Sequence, residues 1–554
     1  MEGNVIDLVT ITSDRAAPVR SWPHGRSWNV IATPSAVANA FSDVDGSAAT
    51  LFLDERLSLP SIDTLRGLLD GPGDVWHAGV SLGLGAAPEL LDHVSPTWML
   101  NAPVARDVEV SSWRVSFRAL LVRNAVLEQL GPPDTTMDVL SGASLDLGLR
   151  WIQAGAIVRN VPNLAVGPNI VDPPPSPLDS IRSLCHHRGQ KWATWAALRG
   201  LTTGQVRLRD AADLGRAIFS TRTTRALVYR NSRPSEGDTE RRVSVVLPTV
   251  DRYPFLIPLL GQLAEQTVPV HEVIVVDQTA SSRRREDLIR AAPGLPITVI
   301  CQDTPGQSTA RNAAIRYATG DAFLFIDDDD EIPDDLVEQH LRRLGTGIDA
   351  SCGGVDDATA GPPPPGFLHR RISDVFPTNN SMVTRAALIR SGLFDTAYDR
   401  GPRADHDLGM RLHLSGALLV YDPSVMVFHH HAPSGGLRTH EARRVTRASA
   451  RRSLAARHLP ATTQSYLWQR YFRPDQVANM RYLSLLSQIG GSGSRARRLL
   501  RAAVQISLLP SSIRRIRQTD EAARMLVADR PPIPVLNPRH DESHTRATPE
   551  SDAR

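Results

Sequence analysis

The chain has 554 residues, 41% of them hydrophobic, and a formal net charge of +3. It is long enough for several cores, and it lacks the charge excess of a nucleic-acid binder, so we expect no nucleic-acid partner. Its three cysteines, Cys185, Cys301 and Cys352, are odd in number and far apart, which argues against a disulfide framework or a zinc site. No apolar run reaches the roughly eighteen residues of a spanning helix, and MEGNVIDLVTITSDR lacks a basic segment followed by an apolar one. We therefore expect no signal peptide and a cytoplasmic protein that at most sits on the inner face of a membrane.

Two proline-containing breaks, VDPPPSP (171–177) and NSRPSEGDTE (231–240), divide the chain. They set off a first unit (1–170) and a helical connector (171–240), in which SIRSLCHHRGQKWATWAALRG reads as one helix. The second unit (241–436) opens with RRVSVVLPTV, a β-branched run that fits a buried strand. FLIPLLGQLAEQ then reads as a helix, HEVIVVDQT and LPITVICQD as strands, QSTARNAAIRYATG as a helix ending at Gly320, and FLFIDDDD as a fourth strand. Strands alternating with helices predict an α/β unit with a parallel, doubly wound sheet. Ligands of such sheets bind beyond the carboxyl ends of the strands, where Thr249, Asp251, Asp277 and Asp327 to Asp329 lie. From Leu437 to about residue 530 the chain is arginine-rich and helical, and residues 531–554 read as disordered. The stretch SRARRLLRAAVQISLLPSSIRRIR (494–517) has two readings: a packed helical subdomain, or a surface helix on anionic lipid.

The run FLFIDDDDEIP (323–333) sets five acids at the end of a buried strand. Carboxylates this close repel unless a cation joins them, and Mg²⁺ and Mn²⁺ prefer such oxygen ligands. The plainer alternative is a solvated acidic turn before a helix at PDDLVEQHL. A repeat adds information. DHDLGMRLHLSGALLVYDPSVMVF (405–428) aligns without a gap on SLDLGLRWIQAGAIVRNVPNLAVG (144–167), VTRAALIRSGLFD resembles LVRNAVLEQLGPPD, and FLFIDDDDEIP resembles LFLDERLSLP (51–60). Asp327 aligns with Asp54, but Asp328 aligns with Glu55, Asp329 with Arg56, Asp405 with Ser144 and His429 with Pro168. Asp407/Asp146 and Arg411/Arg150 persist in both copies, and at four apart Asp407 and Arg411 suit a helix pair. The first copy keeps the frame and loses the polar residues, and it has too little chain before Asp54 for a full nucleotide-binding half. We therefore expect a related, truncated domain without activity.

VVLPTVDRYPFLIPLLGQLAEQT, EVIVVDQTAS, PGQSTARNAAIRYATGDAFLFIDDDDEIP, NNSMVTRAALIRSGLFD and ADHDLGMRL, in this order and spacing, resemble the family 2 glycosyltransferases of the GT-A fold. The resemblance covers about residues 241–431. It implies a nucleotide-diphosphate sugar as donor and a glycan or lipid-linked acceptor. It implies Pro248, Thr249, Asp251 and Asp277 around the nucleotide, and Arg311 near the diphosphate. It implies a D-x-D element in which Asp329 binds Mn²⁺ or Mg²⁺, with Asp327 and Asp328 holding the ribose and the metal shell. His429 falls where some members supply a metal-binding histidine. Asp405 matches the last acid of a Glu-Asp pair that serves as base, implying one direct, inverting displacement. Position 404 is Ala rather than the usual Glu, Asp251 stands where many members have Asn, and the Q-x-x-R-W element of processive members is missing, so we expect one or few sugars added. Residue by residue the plainer alternatives are a helix N-cap for Asp405, a solvated HHH run for His429, a strand-end turn for Asp277 and an ion pair with nearby acids for Arg311. The PPPPG loop (362–366) reads as a surface loop or as a border of the acceptor site.

Other classes fit less well. The strand running into Asp-x-Asp also suits a metal-dependent phosphohydrolase, but Glu331 stands where Thr or Val is needed and no lysine follows Lys191. Prenyl synthases carry their acids on helices, and nucleotidyltransferases need a glycine-rich loop that PTVDRYP lacks. A non-catalytic carbohydrate-binding domain is the remaining alternative.

Overall fold

The computed structural model describes residues 5–14, 16–42, 46–78, 90–94, 107–168, 173–222, 227–230, 239–345, 347–356, 363–373, 375–437, 450 and 452–537. The first two residues of the linker 171–177, most of the linker 231–240, much of the basic stretch 439–459, part of the PPPPG loop and the end of the tail lie outside the described residues.

The first unit builds a seven-stranded sheet from β1 (Ile6–Thr12), β2 (Ser27–Ile31), β3 (Ala49–Asp54), β4 (Val75–Ala78), β5 (Val110–Ser111), β6 (Ala119–Arg123) and β7 (Val158–Asn160). Its order is β2-β1-β3-β6-β4-β7-β5. Helices α1 (Pro34–Ser42), α2 (Ile62–Asp70), α3 (Asn124–Leu130) and α4 (Leu140–Ala154) connect these strands. The connector follows as α5 (Pro177–Arg188), α6 (Gln190–Thr203) and α7 (Ala211–Ser220). The single helix expected here is broken at Gly189, whose φ of 82° and ψ of 168° leave the helical region at little cost only for a residue without Cβ.

The second unit contains β8 (Val243–Thr249), β9 (Glu272–Asp277), β10 (Ile297–Cys301), β11 (Ala322–Ile326), β12 (Asp330–Glu331), β13 (Ala350–Asp356), β14 (Arg371–Ile372), β15 (Asn380–Thr384) and β16 (Leu419–His429). Its helices are α8 (Tyr253–Ala264), α9 (Gln307–Tyr317), α10 (Leu336–Arg343), α11 (Arg385–Ser391) and α12 (Ala404–Leu414). The order is β10-β9-β8-β11-β15-β13-β16-β12, with β14 paired to β16. Strands β10, β9, β8 and β11 are parallel, as expected. The sheet as a whole is mixed, which corrects the wholly parallel sheet read from the sequence. The chain re-enters the sheet with Asn380 opposite Ile326, at the carboxyl edge, so β15 must run back antiparallel to β11. Val245, Val246, Ile274 and Val275 are fully buried, as a sheet covered on both faces requires.

The two sheets share a strand plan. β2-β1-β3-β6-β4-β7-β5 and β9-β8-β11-β15-β13-β16-β14 have the same neighbours and directions. The registers agree too: Ala49 faces Arg123 and Ala322 faces Thr384, positions that the sequence repeat aligns. The aligned acids persist as well, each pair met by a different basic side chain. Asp395 and Asp407 take Arg470 at 2.7 and 2.6 Å, whereas Asp134 and Asp146 lie 3.8 and 3.1 Å from His186 of α5. Arg411 pairs with Asp407 at 3.0 Å, the helix pair read from the spacing.

Among the described residues after Leu437, four further helices are complete: α13 (Thr462–Tyr471), α14 (Pro474–Ile489), α15 (Arg495–Ser507) and α16 (Leu509–Ala528). Tyr466, Leu467 and Trp468 of α13 enter the core of the second unit.

Of the buried histidines among the described residues, His77, His340 and His413 are displaced furthest from the ordinary pKa. Burial pushes the pKa of His77 and His413 down to about 3 and that of His340 to about 4. The unfolded chain takes up these protons near the ordinary value of about 6.5, and the folded chain does not. Their contribution is therefore complete above pH 6.5 and is lost as the pH falls. We expect stability to drop by about 1 kcal/mol per pH unit for each histidine between pH 6 and 5. Urea unfolding across that range checks this, and His340→Gln should reduce the slope by about one histidine's share.

Candidate active site at the carboxyl edge of the second sheet

β8, β9 and β11 end side by side. Thr249 and Asp277 are register partners, and the acid run starts one residue beyond Ile326. Thr249 is buried, and its Oγ1 donates to Asp328 Oδ2 at 2.7 Å, tying the first strand to the acids. Asp277 is buried and accepts from the Tyr253 hydroxyl at 2.7 Å and from the Thr279 amide at 3.0 Å. Pro248 lies beside Val276 in the same register.

The acids do not form the turn of a helix. Helix α10 starts at Leu336, and Asp330 and Glu331 form the short strand β12 opposite His429 and Phe428. This pairing brings His429 to the acids. Its Nδ1 lies 2.7 Å from Asp330 Oδ1 and 3.8 Å from Asp329 Oδ1. Asp327, Asp329 and His429 each offer one ligand atom within 4.8 Å of the others. Two carboxylates and an imidazole suit a divalent cation such as Mn²⁺ or Mg²⁺. A metal-binding histidine usually gives its second nitrogen to a carboxylate or carbonyl, and Asp330 fills that role here. The Asp330 hydrogen bond raises the pKa of His429, and burial raises that of Asp330.

Two residues that sequence reasoning missed hold this cluster: Asp330 and Arg252. Arg252 is buried just after β8, and its Nη1 donates to Asp328 Oδ1 at 2.7 Å and to Asp329 Oδ1 at 2.8 Å. Burial pushes the Asp328 carboxyl up to about 6, against the opposing pull of Arg252 and Thr249. Backbone from the segment after β16 closes over the acids: Ala432 N–H donates to Asp329 Oδ2, His430 N–H to the Asp329 carbonyl, and Gly436 N–H to the Val250 carbonyl. A Cβ at Gly436 would stand 2.6 Å from Arg252 Nη2, so the backbone passes directly over the guanidinium. The sequence signal for Arg252 was its place immediately after a strand end, with acids on the neighbouring strand.

The remaining expected residues fall as follows. Arg311 of α9 is buried and lies 3.3 Å from Asp327, the ion-pair alternative. Asp251 has a left-handed φ of 55°, and Arg283 engages its carboxylate at 2.8 Å. Asp405 is not a helix cap. It is the second residue of α12, whose N-cap is Arg403. The segment before α12 is latched to the first turn of α9, where Asp399 accepts from Ser308 and Thr309 amides and Gln307 donates to the Tyr398 and Gly401 carbonyls. Burial alone would raise the Asp405 pKa, but His406, 3.0 Å away, and Arg403 hold it below the ordinary carboxylate value.

In the first unit the matching place is neutralised from within. Arg56, at the position of Asp329, binds Asp54 through Nε at 2.8 Å and Nη2 at 2.7 Å. Glu55 accepts from the backbone and hydroxyl of Ser13.

Residues 244–395 match the family model "Glycosyl transferase family 2". The uncharacterized glycosyltransferase YwdF of Bacillus subtilis (strain 168) is 32% identical over 106 residues, 19% of this chain and 39% of that protein. The amylovoran biosynthesis glycosyltransferase AmsB of Erwinia amylovora is 33% identical over 105 residues, 18% of this chain and 35% of that protein. The chain thus spans little more than a third of the length of these relatives. Among solved structures, the mannosyltransferase PcManGT from Pyrobaculum calidifontis, in complex with GDP-Man and Mn²⁺, is 18% identical and covers 64% of this chain and 100% of its own, with a TM-score of 0.34.

Proposed function

We propose, from the premise that residues 244–395 form a glycosyl transferase family 2 domain, that the protein is an inverting, metal-dependent glycosyltransferase. It moves a sugar from a nucleotide-diphosphate donor to the hydroxyl of a cell-surface or lipid-linked glycan. The observation that carries this reading is the convergence of Asp327, Asp329 and His429 beside the paired strand ends Thr249 and Asp277.

In this reading Thr249 and Asp277 hold the nucleotide base, with Pro248 and Asp251 bordering it and Asp328 near the ribose. A divalent cation held by Asp327, Asp329 and His429 would neutralise the leaving diphosphate as a Lewis acid. Arg311 exchanges its contact with Asp327 for phosphate oxygen. Asp405 takes the proton of the acceptor hydroxyl as that oxygen attacks the anomeric carbon. The bond to the diphosphate breaks in the same displacement, and the anomeric centre inverts. The first unit, with Arg56 and Ser144 in place of two of these acids, serves as a related domain without this chemistry.

The test is a thermal-shift panel with UDP, GDP and dTDP, each with and without Mn²⁺, on the wild type and Asp329→Ala. Ligand at a hundred times its Kd adds about 2.7 kcal/mol, a readable shift. We expect one nucleotide to shift the wild type only with Mn²⁺, and the variant not at all. No shift with any of the three nucleotides would overturn the reading.

A further inference from the structure

Helix α15 is built inside out. Its protein-facing residues are polar: Arg501 and Gln505 are 2% and 3% exposed. Arg501 donates to the carbonyls of Gly490 and Ser453, and Gln505 to that of Leu454. Its outer arc is apolar. Leu499, Leu500 and Ile506 are 73%, 53% and 58% exposed, and Leu499 and Ile506 share one face at the i, i+7 spacing. A helix docked through its polar side, with its leucines left outside, is made for an apolar phase beyond the protein.

Charge says which phase. Residues 490–519 contain seven arginines and no acid. Arg495 and Arg498 flank the apolar arc, and Arg514 and Arg515 of the next helix are exposed as well. An apolar arc bordered by arginine matches a helix lying in the headgroup layer of an anionic bilayer. No helix among the described residues is long and apolar enough to span one.

We infer that α15 and the start of α16 form a docking face for a membrane surface rich in anionic phospholipid, with Leu499, Leu500 and Ile506 entering the acyl boundary and the arginines meeting the headgroups. This names the partner of the membrane-side acceptor proposed above, but lipid binding is read without any sugar transfer. The two readings can therefore fail separately.

The test is flotation of the full chain with vesicles of phosphatidylcholine, with and without phosphatidylglycerol, at low and high salt. The variants are Leu499→Gln/Leu500→Gln/Ile506→Gln and Arg495→Gln/Arg498→Gln. All these side chains are on the surface, so melting temperatures should stay within about a degree or two. Wild type should float with the anionic vesicles and much less with neutral ones or at high salt. Each arginine near an anionic surface is worth about fivefold in partitioning, so the double arginine variant should lose at least tenfold. The glutamine variant should not float. Failure of the wild type to float on anionic vesicles, or undiminished flotation of both variants, would overturn the inference. So would a wild-type dimer in sedimentation that the glutamine variant abolishes without any flotation, which would give the face to a second copy of the chain.

Discussion

Asp405→Asn should lower turnover by a factor of about 10² to 10⁴ and leave donor affinity unchanged. Asn keeps the shape of the side chain but cannot take a proton, and a positioned general base contributes about that factor. Asp405 opens α12 on a segment latched to α9, the helix that brings Arg311 to Asp327. His406 and Arg403 hold its pKa below the ordinary carboxylate value, the direction a base needs. The measurement is nucleotide release from the donor, with acceptor or with water in its place, beside a nucleotide-binding isotherm. Retention of more than a tenth of the wild-type rate would remove Asp405 as base. The neighbouring imidazole gives a second readout. His406→Gln removes a hydrogen-bonding neighbour that lowers the Asp405 pKa, so the acid limb of the pH–rate profile should move to higher pH. A purely structural Asp405 would leave that limb in place.

What the sequence made legible follows the range of the interaction. The four strands read for the second unit, β8 to β11, lie at or near their expected positions, because buried β-branched runs are a strong local signal, whereas β12 to β16 were not read. Their carboxyl-edge residues could be named for the same reason. The sense of β15 could not, since direction depends on which sheet edge a long connection reaches. The break at Gly189 is written in a glycine between two helical patterns, which apolar periodicity alone reads through. Arg252 and Asp330 were hidden for another reason. Each acts on residues far along the chain, Arg252 on Asp328 and Asp330 on His429, and a residue of the acid run reads as one more acid until its partner strand is known. The outward apolar arc of α15 was equally out of reach. The pattern of SRARRLLRAAVQIS gives an amphipathic helix, but only the contacts of Arg501 and Gln505 tell which side faces the protein.

Arg252 carries the second large effect. Its guanidinium is the cation between Asp328 and Asp329, all three side chains are buried, and Gly435 and Gly436 seal it from the other side. Removing one partner of such a group leaves carboxylates in low dielectric without compensation, at a cost of about 3–5 kcal/mol. Arg252→Gln should therefore unfold at markedly lower urea. The loss should not add to that of a second change at the same group. Asp328→Asn removes one of the two stranded charges, so Arg252→Gln/Asp328→Asn should be more stable than the sum of the single variants predicts, by about 1–3 kcal/mol. The alternative is that Arg252 acts through packing under the glycines, as a large side chain filling a slot. Packing loss would be the same with either Asp or Asn at 328, and the two variants would then add. The double-mutant cycle separates these accounts. It also tests the site independently of any ligand, because it asks only whether the acid run, before a metal ion or donor arrives, is held together by the protein's own cation.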